Sequence, residues 1–374
     1  YSGVPSGSLI YSFGPDEVFV PGTSVATISN PYLRWEQTDQ TNLGIDLGFL
    51  QNRVTLNVDF YNRKSSGLLV NVLLPGSTGI MGIARLGNPS VLTNAADAQN
   101  RGIELALGYR SKPVRDFTYN VSANFSYNKN TTLSLGNVNQ FPIKDGGLNG
   151  SGTITYTAKG SPIGAFYGYR VDHVAKDQAE IDALNSKAPN SIYQNGLLPG
   201  DFIFKDLNHD GVLDTKDQEI LGSPIPKIMY GFNTGATYKN FDLNIVISGL
   251  SGVQIANNTK YYTQSVLEAH NTTTALLNRW RQPGDVASLP RAGQSTSNLK
   301  PSDWYIEDGS YLRVRNLTLG YTISKSALKS FSHDVIQGIR LYVAAQNLLT
   351  LTGYSGYDPE IGTDGGDSFI FRRG

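Results

Sequence analysis

The chain has 374 residues with 31 Lys plus Arg against 31 Asp plus Glu, so it carries no net basic field of the kind that draws nucleic acid. It has no cysteine, which excludes disulfides, thiolate metal sites and cysteine nucleophiles, and no apolar run nears the ~18 residues of a membrane-spanning helix. Forty glycines and 21 tyrosines against two methionines favour strands and turns over helices.

Residues 1–37 are rich in Gly, Pro and Ser and read as loop. Leu43, Ile45, Leu47 and Phe49 then alternate with Gly44, Asp46 and Gly48. Beyond a Gln51-Asn52 turn, Val54, Leu56, Val58 and Phe60 alternate with Thr55, Asn57 and Asp59, a pattern that predicts a β-hairpin. The unit recurs as Ile103–Tyr109 with Phe117–Tyr127, as Ile228–Ala236 with Phe241–Ile247, and as Leu317–Ile323 with Ile339–Ala345. Shorter strands are expected at Leu68–Leu74 and Phe166–Val171, for about ten strands in all, several of them near the 9–11 residues that cross a bilayer. Helix-like pieces are expected at Lys176–Lys187 and Thr263–Arg281, the latter ended by Pro283-Gly284.

Turns inside the hairpins are short, whereas residues 75–98, 130–165, 174–225 and 249–305 make long links between them. Short turns at one end and long loops at the other is the layout of a membrane barrel, with the Asn/Ser/Thr/Gly face lining a hydrated lumen and the aliphatic and aromatic face in lipid. Alternation alone also fits a soluble sandwich; strand length, one-sided loops and tyrosines suited to interfacial girdles favour the barrel.

One long link holds an acidic loop. Asp206, Asn208, Asp210, Asp214 and Asp217 occupy positions 1, 3, 5, 9 and 12 of a calcium-binding loop, with Gly211 at the sharp turn and Val212 offering a carbonyl at position 7. Oxygen donors at this spacing can converge on one calcium ion; the alternative is an Asp/Asn/Gly turn that needs no ion. Phe202–Phe204 before it reads as a short strand, so the loop would lie outside a helix–loop–helix pair.

Nothing selects a catalytic site. His173, His209, His270 and His333 are scattered without zinc spacing, and no nucleophile elbow, phosphate loop or dinucleotide glycine pattern is present. Tyr167, Tyr169, Tyr261, Tyr262, Trp280, Trp304 and Tyr305 lie in or beside the long links, where loop packing is the plainer reading and stacking on cargo the alternative.

Five stretches, in order, resemble SusC/RagA-type TonB-dependent transporters of the Bacteroidetes outer membrane. They are NPYLRWEQTDQTNLGIDLGFLQNRVTLNVDFYNRKSSGLL from Asn30, NRGIELALGYR from Asn100, GDFIFKDLNHDGVLDTKDQEILGSPIPKIMYGFNTGATYKNFDL from Gly200, DGSYLRVRNLTLGYTIS from Asp308 and IRLYVAAQNLLTLTGYSGYDPEI from Ile339. The resemblance implies that residues 1–374 are the C-terminal part of an all-β, antiparallel transmembrane barrel of about 22 strands with long extracellular loops. The plug, the early strands and the last strand are expected to lie outside it, both ends reading as cut. It also implies import of oligosaccharides or peptides across the outer membrane, not catalysis. The implied partners are outer-membrane lipid, a SusD-like surface lipoprotein and, through an N-terminal region, the TonB complex. The acidic loop is then expected to staple an extracellular loop. The competing reading is a secreted calcium-binding, β-rich adhesion or carbohydrate-binding module; a non-transporting scaffold of a larger outer-membrane assembly is a third.

Overall fold

The computed structural model describes residues 10–13, 18–21, 27–73, 90–136, 142–148, 152–265, 271–293, 296–332 and 335–360. In chain order the strands begin with β1 (Ile10–Phe13), β2 (Val18–Pro21), β3 (Thr27–Ile28), β4 (Gln37–Phe49), β5 (Val54–Leu73), β6 (Ser90–Arg110) and β7 (Phe117–Ser134). The long links contribute β8 (Ile143–Leu148), β9 (Gly152–Thr157), β10 (Ala165–Gly168), β11 (Val171–Val174), β12 (Phe202–Phe204) and β13 (Glu219–Gly222). Then come β14 (Ile228–Tyr238), β15 (Phe241–Ser251), β16 (Gln254–Ala256), β17 (Ile306–Asp308), β18 (Tyr311–Ser324) and β19 (Gly338–Thr352). The helices among the described residues are α1 (Gln178–Lys187), α2 (Thr259–Gln264) and α3 (Lys325–Ser332).

The four expected hairpins form one antiparallel sheet in the order β19-β18-β15-β14-β7-β6-β5-β4, with β3 added parallel to the start of β6. Their turns (50–53, 111–116, 239–240 and the α3 segment) all lie at one end, and the long links leave from the other. The first turn is tighter in conformation than Gln51-Asn52 suggested: Leu50, Gln51 and Asn52 all have positive φ. Gly48 makes room for it, because a Cβ there would meet Asn52 Oδ1 at 2.2 Å.

Several expectations are corrected. Leu68–Leu74 is not a separate strand; residues up to Leu73 continue β5, past an irregularity at Gly67 where Asn94 and Asp97 take over the backbone bonds. Phe166–Val171 is β10 and the start of β11, neither of which belongs to the main sheet. The link expected at 75–98 ends sooner, because β6 begins at Ser90, and the stretch read as loop over 1–37 contains β1, β2 and β3. Thr263–Arg281 is not one helix: α2 ends at Gln264, Thr274–Asn278 is a short 3-10 turn, and Val266, Leu267 and His270 lie outside the described residues, as does His333.

The two faces of the sheet differ as the alternation requires. Leu43, Leu107, Phe125, Phe232, Leu319, Leu341 and Val343 all point to one side and are exposed there. At the turn end the same side carries a row of rings across neighbouring strands. Tyr109 lies 5.6 Å from Tyr119, Phe117 lies 5.6 Å from Tyr119 and 6.4 Å from Tyr238, and Phe241 lies 4.8 Å from Tyr321. A sandwich would bury such a face under a second sheet; exposed aliphatics edged by an aromatic row suit a lipid slab and its interface. The opposite face carries Asn120, Ser122, Asn124, Asp242 and Asn244, with Arg340 donating to Asp242 through both Nε and Nη2.

A β-bulge breaks the alternation in β18. Ile247 pairs with Val314 and Val246 with Asn316, leaving Arg315 as the extra residue. Uninterrupted period two would put Arg313 and Arg315 on the lipid side with Leu317 and Leu319. The bulge instead sets Arg313 beside Ser248 and Thr350 on the polar face.

Candidate functional site

Compact packing is found above the sheet, in the long links. The strands β8, β9, β10 and β13 make a small sheet, and the pairs β11-β12 and β16-β17 flank it. Three buried clusters hold this lobe together. Ile181 of α1 packs with Ala175, Ala188, Tyr193, Leu197 and Ile203. Phe166 packs with Ile154, Tyr261 and Tyr305, and Phe202 and Phe204 pack with Tyr169, Val174 and Leu213. The α1 helix expected within Lys176–Lys187 starts because Asp177 accepts from the Glu180 amide at 3.0 Å, and Ile181 with Leu184 supplies its buried face.

The aromatic candidates divide accordingly. Tyr169, Tyr261 and Tyr305 are buried in these clusters. Trp304 packs on Phe202 and Tyr305, and Trp280 lies against Gly200 and donates its indole N–H to the Lys176 carbonyl at 3.0 Å. Tyr262 meets Tyr261 edge-on, and Tyr167 stacks on Tyr156 at 4.2 Å. These contacts are all loop packing, with Tyr167 half-buried between Tyr156 and the Lys144 ammonium.

A polar node that sequence reasoning missed joins the two largest links. Asp201 is fully buried; its Oδ1 accepts from Arg291 Nε and Asn298 Nδ2, each at 2.9 Å, and its Oδ2 from the Leu198 amide at 3.1 Å. Beside it, Gln194 donates to the Phe202 carbonyl at 2.8 Å and to Ser297 Oγ at 2.7 Å. The partners are about 90 residues apart in sequence, so no local pattern marks them.

The acidic loop is packed onto the lobe through Tyr193, whose hydroxyl donates to the Phe204 carbonyl at 2.7 Å and whose own carbonyl accepts from the Leu213 amide at 2.7 Å. Burial, with the nearby Asp206 charge, pushes the Tyr193 hydroxyl up to about 12. The structure brings the expected ligand residues into one loop but turns them on the backbone. Asp206 accepts from the His209 and Gly211 amides at 2.6 and 2.7 Å, and Asn208 from the Asp210 amide at 2.9 Å. Asp210 accepts from the Val212 amide at 3.1 Å, and Asp214 from the Lys216 amide at 2.7 Å. Asp217, fully buried, accepts from the Leu207 and Asp214 amides at 2.9 and 2.8 Å. His209 and Gly211 both take positive φ to allow this winding.

As a test of fit for calcium, the donor set is all oxygen, as a hard cation needs. One cation is already shared: the Lys216 ammonium lies 3.7 Å from Asp210 and 3.4 Å from Asp214. Among the described residues, however, no three acidic, His or Cys side chains stand close enough to hold an ion together. In this geometry the loop is closed by its own hydrogen bonds.

His173 on β11 clamps α1. Its Nδ1 lies 2.8 Å from Asp172 and its Nε2 2.8 Å from Glu180. Burial alone would lower its pKa, but the two carboxylates outweigh burial and raise it, while Glu180 is held low once its own burial is offset by the Lys176 amide and His173. The raised His173 contributes stability fully present below about pH 6.5 and lost as pH rises through its folded value. The depressed Glu180 contributes stability present above about pH 4.5 and lost as pH falls through its own. Proteolysis within 176–187 should therefore be slowest between these limits and speed up toward pH 8.5, and His173→Gln should flatten the alkaline side. A cleavage rate independent of pH from 6 to 8.5 in the unaltered protein would remove the clamp.

Comparison with known proteins follows the same architecture. Residues 3–348 match the family model described as TonB dependent receptor-like, beta-barrel. The chain belongs to the TonB-dependent receptor β-barrel family. It is 31% identical to TonB-dependent receptor P3 of Formosa agariphila, across 96% of this chain and 34% of that protein. To TonB-dependent receptor SusC of Bacteroides thetaiotaomicron it is 27% identical, across 96% of this chain and 32% of SusC. Among solved structures, the RagAB peptide transporter superposes with a TM-score of 0.72 at 27% identity, covering 96% of this chain and 36% of that one. The chain thus spans about a third of the length of the relatives it matches. As a TonB-dependent receptor barrel segment its place is the bacterial outer membrane. In such barrels the short turns face the periplasm and the long links face outward, which puts the lobe and the acidic loop on the extracellular side.

Proposed function

We propose that this chain forms the barrel wall and part of the outer lobe of an active importer that carries oligosaccharides or peptides across the outer membrane. The observation that carries the reading is the likeness, over nearly the whole chain, to both SusC and the RagAB peptide transporter. On this reading a SusD-like surface lipoprotein sits over the lobe, and the TonB complex supplies energy through a part of the protein other than these residues. The role is transport, with the polar sheet face lining the path. The full-length protein should require detergent for extraction and should co-purify with a lipoprotein. Uptake of a labelled oligosaccharide or peptide mixture should stop when the proton gradient is collapsed. A full-length protein soluble without detergent would overturn the proposal. The secreted adhesion reading would leave Leu43, Leu319, Leu341 and the aromatic row in water.

Calcium is proposed as the ion of loop 206–217, supported by the all-oxygen donor set and by the cation position that Lys216 takes between Asp210 and Asp214. Asp206, Asn208, Asp210, Asp214 and Asp217 would hold it, with the Val212 carbonyl, and neutralise their shared charge. Calcium should slow proteolysis within 205–217 of the full-length protein, a chelator should restore it, and Asp206→Ala or Asp210→Ala should abolish the difference. Equal cleavage with calcium and with chelator would sink this part.

A further inference from the structure

Two stretches far apart in the chain meet on the lumen face of the wall. Arg313, almost fully buried, donates from Nη1 to Glu360 at 2.6 Å, from Nη2 to Asp358 at 2.6 Å and from Nε to Thr350 Oγ1 at 2.8 Å. Arg315 donates to the same Glu360 and, through Nε, to Ser248 Oγ at 2.8 Å, and the Tyr311 hydroxyl also donates to Glu360. The other end of the strap 353–360 is tied to the lobe: the Ser355 amide and hydroxyl each donate to Glu307 at 2.8 Å, and Glu307 is paired with the Lys260 ammonium at 2.8 Å.

The strap is held chiefly by these polar contacts, with Asn257 also donating to Ser355 Oγ at 3.1 Å and the Tyr354 ring half-buried. Of its two tyrosines Tyr357 is 92% exposed, and Gly353 and Ser355 are exposed as well. Two guanidiniums side by side on a wall repel each other unless an anion lies between them, and a fork of this kind suits a planar carboxylate. A segment docked mainly by carboxylates, with only the Tyr354 ring partly buried, exchanges for another molecule bearing the same group.

We infer that Arg313 and Arg315 form a carboxylate-binding site on the lumen wall, and that residues 353–360 are a latch filling it with Glu360 and Asp358 until a free carboxylate takes their place. Release would free the lobe from the wall at this point. The ligand class is a carboxylate, from a peptide C-terminus or a uronic acid. That these molecules reach the lumen rests on the import reading; the latch itself does not.

The test is hydrogen exchange across 353–360 in the full-length protein in detergent, which needs no transport. Millimolar alanylalanine or galacturonate should speed exchange severalfold, while alanylalanine amide and galactose should not; the more effective carboxylate identifies the source. Glu360→Gln should give fast exchange with no probe added. If neither carboxylate changes the rate, or the neutral analogues act equally, the latch is refuted, and this arm uses the unaltered protein, so it stands whether or not the variant folds.

Discussion

Asp201→Ala should loosen the outer lobe while the barrel wall stays folded. The carboxylate has no contact with water and receives Arg291, Asn298 and the Leu198 amide. Removing it leaves the Asn298 amide unpaired inside the lobe and the Arg291 guanidinium, 27% exposed, without its carboxylate, which costs about 3 kcal/mol, the lower end for a buried pair. Protease cleavage in 174–225 and 271–293 should rise on the order of a hundredfold, since each 1.4 kcal/mol is tenfold in the open population. Asp201→Asn, which keeps an acceptor but not the charge, should fall between. Cleavage within twofold of the unaltered protein for the alanine variant would show that the three clusters hold the lobe without the node.

Leu319→Arg should impair folding in the membrane, whereas Thr318→Arg, its neighbour, should be tolerated. Leu319 lies mid-strand on β18 in the exposed aliphatic face; Thr318 pairs with Asn244 and Ala344 on the polar face. A guanidinium on the lipid side costs about 2–4 kcal/mol at the midplane and less toward the aromatic row two residues from Leu319, while one in a hydrated lumen costs less still. Denaturant titration of the refolded protein in lipid vesicles measures both. Equal loss from the two variants would mean that the two faces share one environment, which the barrel forbids.

The four hairpins were legible because period two is a local signal: Leu43–Phe49 and Phe117–Tyr127 each declare an apolar and a polar face within a few residues. The turn of the acidic loop was legible in the same way, as fixed spacing, and α1 through the pair Ile181 and Leu184, whereas its Asp177 cap was seen only in the structure. Elements without such a signal were misplaced. Val266 to Trp280 looks periodic yet holds only a short 3-10 turn among its described residues, because long-range packing outweighs helix propensity in a loop. The expected strand Leu68–Leu74 reads as separate because the irregularity at Gly67 interrupts the alternation of a single strand.

By itself, then, the sequence determined the hairpins, the side on which the long links leave and the identity of the apolar face, since each depends on residues a few positions apart. The tertiary structure alone decided what the links build. Asp201 meets Arg291 and Asn298 only once two links have folded together, and Arg313 meets Asp358 and Glu360 only because a bulge at Arg315 turns it from lipid to lumen. One extra residue in a strand reverses which face every later side chain occupies, and no reading of alternation can supply it without the partner strand.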